Sequence, residues 1–325
     1  MIDSITSRLR RAFLFSAWVA CLACPSAATA DESAAGLGFE TKDDRIVLTH
    51  SGGTIGEYVF RDPKILRPCF SNLRLPGQVQ VTRRHPPVSG KDATDHADMH
   101  PGVWLAFGTI NGEDFWRNKA RIEHVRFLHA PTVAEGRLTF ATEERLLRAN
   151  GEPLARMENR ITVTQRGRGW RLIWDARITA DFVDLEFGDQ EEMGFGARVA
   201  AEITEKNGGL IRNSEGLKTA KDTWGKPAAW CDSSGTIDGQ PVGVTLMSHT
   251  TNPGTTRWHN RDYGLSVANA FGHSAFKLGN RQVMTTLKGG TLKLVYAAVF
   301  HEGDGYDPAE EYQMFVSAMD ERTAR

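Results

Sequence analysis

Cysteine is scarce in this chain, with four in 325 residues, and two of them, Cys21 and Cys24, fall in the first thirty positions. Beyond residue 30 only Cys69 and Cys231 remain, far apart and outside any CxxC pair. That excludes a disulfide-dense scaffold and argues against a cysteine-based zinc site. In an oxidising compartment the two could pair; the alternative is two buried thiols. An excess of either charge is also missing: 39 Lys plus Arg stand against 40 Asp plus Glu, a formal net charge of -1. With no basic surplus to hold a phosphate backbone, nucleic acid is excluded as the main partner. Nothing after the N-terminus approaches the about 20 apolar residues that span a bilayer. GxSxG, GxxxxGK[ST] and HExxH are absent, and no GxGxxG joins a strand to a helix.

The N-terminus carries a three-part pattern. Arg8, Arg10 and Arg11 form a basic region, Ala12 to Ala23 is apolar, and small residues stand at Ala28 and Ala30. This reads as a secretory signal over residues 1–30, cleaved after Ala30, so the mature chain is expected to be periplasmic or secreted. A lipid anchor at Cys24 is disfavoured, because Cys21 occupies the position where a lipobox wants Leu.

Residues 31–325 show no linker, repeat or shift of composition, and we expect one domain there. The chain has 32 glycines and 13 prolines and few long helical patterns, which points to a turn-rich β protein. Strands are expected at 45–50, 56–60, 78–84, 103–107, 122–129, 137–148, 154–164, 170–179 and 242–248, and within 282–300. Asn150-Gly151 is the strongest hairpin signal among them. One helix is expected at the end: Asp307 suits an N-cap, Pro308 the first turn, and Glu310 a capping box. Tyr312, Phe315, Val316 and Met319 then follow at helical spacing as a core-facing stripe. The fold class is therefore all-β, a large antiparallel β-sandwich with a C-terminal helix.

Three polar stretches, read as loop-like, carry the candidate chemistry. The first, DHADMHPGVWLAFGTINGEDFWRNKAR, holds His96, His100, Trp104, Phe115 and Trp116. The His96 and His100 spacing would suit metal ligands on a helix, but Pro101-Gly102 favours a loop entering a strand. Carboxylates, imidazoles and aromatic faces together suit a sugar, whose C–H surface packs on rings while polar groups take its hydroxyls. A Trp-rich core edge is the competing explanation. The second stretch, FGDQEEMGFGARVAAEI, sets Glu191 and Glu192 before Gly194, Gly196 and Arg198. Such a run of acids usually means a solvated turn; the alternative is a general base or ligand positioned beside Arg198. The third, SHTTNPGTTRWHNRDYGLSVANAFGHS, holds His249, Asn252, Trp258, His259, Arg261, Asp262, Tyr263, Asn269 and His273. It is either a site built on loops or an Arg261–Asp262 structural network.

In order along the chain, DHADMHPGVWLAFG, INGEDFW, EEMGFGARVA, NSEG, WGKPAAWCD and WHNRDYGLSVANAFG resemble a bacterial family of unknown function whose members are often labelled methane oxygenase PmoA. The resemblance spans roughly residues 80–275. It implies a sandwich of the galactose-mutarotase-like kind, common among glycan-processing proteins. Where the family usually has DHxHHxG, this chain has Asp98, Met99 and His100, which weakens a histidine-held metal. The particulate methane oxygenase subunit spans the membrane with several helices, so the label implies no methane chemistry for a chain without such spans.

The expected function is an exported carbohydrate-active protein. Its leading form is an acid–base enzyme (epimerase, lyase or hydrolase) acting on a sugar or modified glycan, with His100 or His259 as acid and Glu192 as base. His96, Trp104, Arg198, Asn252, Trp258, Arg261 and Asp262 are expected to bind substrate. No metal, other cofactor or protein partner is expected. The alternatives are a non-catalytic glycan-binding protein, or a metal-dependent oxidase or lyase using His96, His100, His249 or His259. The sharpest expectation is that His100, Glu192, Arg198, His259 and Arg261 line one pocket, with Trp104 or Trp258 on its wall.

Overall fold

The computed structural model describes residues 36–303 and 305–323. The expected signal, residues 1–30, lies outside them. Among the described residues the chain forms two eight-stranded antiparallel sheets and one short strand pair. In spatial order the first sheet is β1 (Leu37–Thr41), β2 (Arg45–His50), β3 (Gly53–Val59), β4 (Cys69–Ser71), β5 (Gly102–Phe107), β11 (Met193–Arg198), β16 (Leu265–Asn269) and β15 (Arg257–Arg261). The second is β12 (Leu210–Asn213), β13 (Trp230–Ile237), β14 (Gln240–Ser248), β18 (Thr291–Glu302), β9 (Gly169–Thr179), β8 (Pro153–Arg166), β7 (Arg137–Leu147) and β6 (Arg121–Ala134). β10 (Leu185–Phe187) pairs with β17 (Met284–Thr286). A short helix, α1 (Ala220–Thr223), and the C-terminal α2 (Pro308–Thr323) complete the main elements.

Period-two alternation explains how the sheets pack. On β9, Trp170, Leu172, Trp174, Ala176 and Ile178 join the central core, while Ile173 joins a cluster on the opposite face. Aromatic rings bridge the two sheets. Phe195 stacks on Tyr296 at 5.2 Å, Phe70 meets Trp174 edge-on at 5.7 Å, and Tyr58 meets Phe140 at 4.9 Å. Such contacts add to the apolar burial that drives the sandwich together.

The β7–β8 hairpin forms where Asn150-Gly151 directs it. Gly151 takes φ +88° and its N–H donates to the Arg148 carbonyl at 2.9 Å, a backbone state that costs glycine little. At the C-terminus the Asp307 carboxylate accepts the Ala309 N–H at 2.8 Å and caps α2. Phe315 and Met319 then pack on Ile173, Met247, Val295, Ala297 and Val299. The outer face of the second sheet is thereby covered in part by a helix.

Two expectations need correction. Residues 78–84 alternate in sequence but are not a strand. They make single bridges, Arg74 to Gln80 and Thr82 to Val199, because the segment shares its hydrogen bonds between residues 73–75 and 198–200 instead of running along one partner. The third polar stretch contains two strands, β15 and β16. Its polar residues do not signal a loop, because they satisfy one another inside: Asn260 accepts from Ser266 Oγ at 2.6 Å and donates to Thr223 Oγ1 at 2.8 Å. Cys69 and Cys231 are free, buried thiols on different sheets. No helix among the described residues is long and apolar enough to cross a membrane.

Candidate functional site

The outer face of the first sheet collects the polar groups. Cross-strand register sets Cys69, Trp104, Gly196, Val267 and His259 in one row, and Arg198, Leu265 and Arg261 in the next. Residues directly opposite share a face. Three strand spacings of about 4.8 Å therefore separate Trp104 from His259 by about 14 Å. Gly196 lies beneath the Trp104 ring, where an added Cβ would sit 2.8 Å from two indole carbons. Gly196→Ala is expected to displace that ring and cost about 1–3 kcal/mol, measured by urea unfolding.

At one end of this face stands an imidazole held by a carboxylate. His259 Nδ1 lies 2.8 Å from Glu191 Oε2, and Arg261 donates to the same oxygen at 2.7 Å. The Trp224 indole N–H points between Nδ1, 3.3 Å away, and the Glu191 carboxylate, whose pKa it also lowers. The Glu191 contact at 2.8 Å is shorter than the Trp224 contact at 3.3 Å, and it selects the tautomer with the proton on Nδ1, since a bare Nδ1 lone pair would face an anion. Burial lowers the His259 pKa below its usual 6.5, against the opposing pull of Glu191. The hydrogen bond from His259 in turn holds the Glu191 carboxyl below its usual range. The pair at neutral pH is thus imidazole plus carboxylate. Among the described residues His259 Nε2 has no hydrogen-bond partner.

The surrounding elements fix this pair. The Thr219 hydroxyl caps α1 by accepting from Asp222 N–H, and the Gly225 N–H donates to the Trp258 carbonyl at 2.8 Å. Trp224 is pinned between these points, half-buried, with Phe276 edge-on at 5.3 Å. The Arg261 and Lys277 cations stand 6.0 and 5.8 Å from its ring. Asn269 holds the Gln190 and Glu191 carbonyls. Next to them, Asp189 accepts the backbone N–H groups of His273, Ser274, Ala275 and Gln282. Burial alone would raise the Asp189 pKa, but these four donors bring it down to about 2 from 3.8. A depressed folded pKa gives stability that is full above about pH 3.8 and fades as pH falls toward 2. Asp189→Asn is expected to be less stable than wild type at pH 7 and to lose that deficit near pH 2, by denaturant unfolding at both.

Further along the face lies a second cluster. Arg83, itself 2% exposed, donates to the carbonyls of Ala93, Asp95, His96 and His100 and so shapes the first polar stretch. The His100 ring stacks on Trp104 at 5.1 Å and 9°, Trp116 meets Trp104 edge-on at 5.5 Å, and His96 lies 5.3 Å from His100. Asp95 binds Arg198 through both oxygens, at 3.0 and 3.2 Å. Arg198 also stands 4.3 Å over Tyr263, whose hydroxyl interacts with Arg261. Tyr263 therefore links the two clusters.

Several candidates are placed differently from expectation. Glu192 pairs with Arg117, which also binds Asp114, so the carboxylate on His259 is the neighbouring Glu191. His100 is 1% exposed, and burial together with Arg198, Arg67, His96 and Arg83 pushes its pKa down to about 2. A group so held is neutral near pH 7 and has no imidazolium proton to give. Trp258 is fully buried in the inter-sheet core, its indole N–H on the Ala228 carbonyl, and offers no wall to a ligand. Asn252 spends its amide on Ser248 and the Val295 backbone, tying a turn to β18. Asp262 is exposed in the β15–β16 turn. His96, Trp104, Arg198, His259 and Arg261 do share the outer face. The histidines of the metal reading are not gathered at one point, since His249 lies under α2 against Phe315. Sequence reasoning passed over Trp224, Asp95 and Arg83, and noted Tyr263 without giving it a role. Trp224 opens the WGKPAAWCD segment, so it was in view without a role.

A family model matches residues 45–314. The chain belongs to DUF6807, a family of unknown function. The DUF6807 match takes in every strand of both sheets except β1, and every residue of the two clusters. No curated protein matches the chain. Among solved structures, a galactose mutarotase related enzyme from Lactobacillus acidophilus is similar over 82% of this chain and 97% of that one, at 9% identity and a TM-score of 0.37. The sandwich stands on its own strand pairing.

Proposed function

We propose that this chain is an exported carbohydrate-active enzyme working by acid–base chemistry, with His259 as its proton-transferring group. The observation that carries this reading is the buried His259 held at Nδ1 by Glu191 beside a half-buried Trp224. With Nδ1–H donated to the carboxylate, the Nε2 lone pair is the free base. It would take a proton from a sugar hydroxyl or from a carbon next to a carbonyl, and Glu191 would stabilise the imidazolium that forms. Arg261 would bind a substrate oxygen, and the Trp224 face would pack on the sugar's C–H surface. Epimerase, lyase and hydrolase chemistry all need such a transfer.

Purified mature protein incubated with a glycan panel tests this, with products read by mass spectrometry. Turnover by wild type and not by His259→Gln supports the reading. Binding without any product would favour the glycan-binding alternative, for which Trp224 and Arg261 would serve equally. The exported state is tested separately: N-terminal sequencing of a periplasmic or culture fraction should begin at Asp31, and an intact Met1 would reject it.

A further inference from the structure

A second cleft lies on the outer face of the other sheet, between β7, β8, β9 and α2. It holds about 640 Å³ and is lined by Arg137, Thr164, Gln165, Arg166, Arg171 and Glu321, among others. Register puts Arg137 opposite Thr164 and Thr164 opposite Arg171. The three side chains therefore stand in one row across three adjacent strands, on one face. The two arginine Cα atoms are about 10 Å apart, two strand spacings, with a hydroxyl midway.

The charges in this row do not balance locally. Arg166 binds Glu311 through both oxygens, at 3.0 and 3.1 Å, and Arg171 binds the same carboxylate at 3.0 Å. One acid thus serves two guanidinium groups. The Arg171 side chain is only 7% exposed, and its Nε is buried with no partner. The Thr164 hydroxyl is likewise buried and unpartnered. Arg137 is exposed and has no ion pair among the described residues. The nearest other acids, Glu135 and Glu321, are exposed at the rim. A buried cation sharing its counter-ion, next to an orphaned donor and an open cleft, is costly unless a ligand completes it.

We propose that this row is a binding site for a tetrahedral oxyanion group, a sulfate or phosphate. A tetrahedral group presents oxygens in several directions and suits donors arriving from three strands. A planar carboxylate is better matched by one bidentate fork. The site is independent of the His259 cluster, which stands on the other sheet.

Calorimetric titration of the whole mature chain with inorganic sulfate and inorganic phosphate, at constant ionic strength, tests the site. Saturable binding is expected, weakened about tenfold in both Arg137→Gln and Thr164→Val. Neither variant removes an internal ion pair, and thermal unfolding in the absence of ligand checks that both fold. No saturable binding to wild type, or binding unchanged in both variants, would overturn the proposal. Equally tight binding of acetate would overturn the tetrahedral assignment. A sulfated monosaccharide separates the sources: tighter binding than inorganic sulfate supports an ester carried on a glycan, and equal or weaker binding supports the free ion.

Discussion

His259→Gln is expected to lower kcat by about 100-fold or more while the substrate dissociation constant stays within a few-fold. Positioned acid–base catalysis contributes about 10²–10⁴ in rate, and glutamine keeps much of the side chain's bulk. Glu191→Gln should follow with a smaller loss, because it weakens both the tautomer choice and the stabilisation of the imidazolium. The pH profile carries the sharper signature. Burial lowers the His259 pKa and Glu191 raises it. In wild type the acid limb of kcat/KM should therefore lie below pH 6.5. In Glu191→Gln, with the raising influence gone, it should move lower still. Glu192→Gln should stay within a few-fold of wild type, since that carboxylate rests on Arg117. If Glu192→Gln abolished turnover while Glu191→Gln did not, the assignment of the base would be wrong.

Trp258→Ala is expected to cost about 3–5 kcal/mol of stability, the range for emptying a buried tryptophan site. At about 2–4 °C per kcal/mol, that lowers Tm by roughly 6–20 °C. The side chain is 0% exposed, and its removal also strands the Ala228 carbonyl that its indole N–H now satisfies. Trp224→Ala should lower Tm by less than Trp258→Ala, because the ring is only half-buried, and, on the proposed function, weaken sugar binding by about tenfold, the worth of one aromatic contact. Scanning calorimetry and a binding titration on the two variants check the contrast. A stable Trp258→Ala that no longer binds sugar would return that residue to the site and refute its place in the core.

The contrast between those tryptophans marks where sequence reasoning reaches its limit. Both stand in segments rich in polar residues, and both were open candidates or within the matched motifs. Pairing of Arg257–Arg261 with Leu265–Asn269 turns Trp258 and Asn260 inward and His259 and Arg261 outward. Alternation in WHNRD is compatible with either face pointing out, because buried Asn260 and half-buried Arg261 are both polar in sequence. Only the partner groups, Thr223 and Ser266 for Asn260, decide which polar residue is satisfied inside. The choice between Glu191 and Glu192 was ambiguous for the same reason. Adjacent residues at the entry to a strand point apart, and nothing local says which one meets His259.

Local chemistry by itself determined the all-β class, the Asn150-Gly151 hairpin, the long strands from 137 to 179 and the capped helix with its apolar stripe. Each depends on near neighbours in the chain: period two, period 3.6, a turn glycine, a capping carboxylate. It also narrowed the candidate chemistry to three stretches. Tertiary structure alone decided which side chains of those stretches meet. The His259–Glu191–Trp224 cluster draws on residues 191, 224 and 259, and the Arg137–Thr164–Arg171 row on three separate strands. Contacts between distant segments are set by sheet register and by which face a core buries, and a linear pattern of residues holds neither.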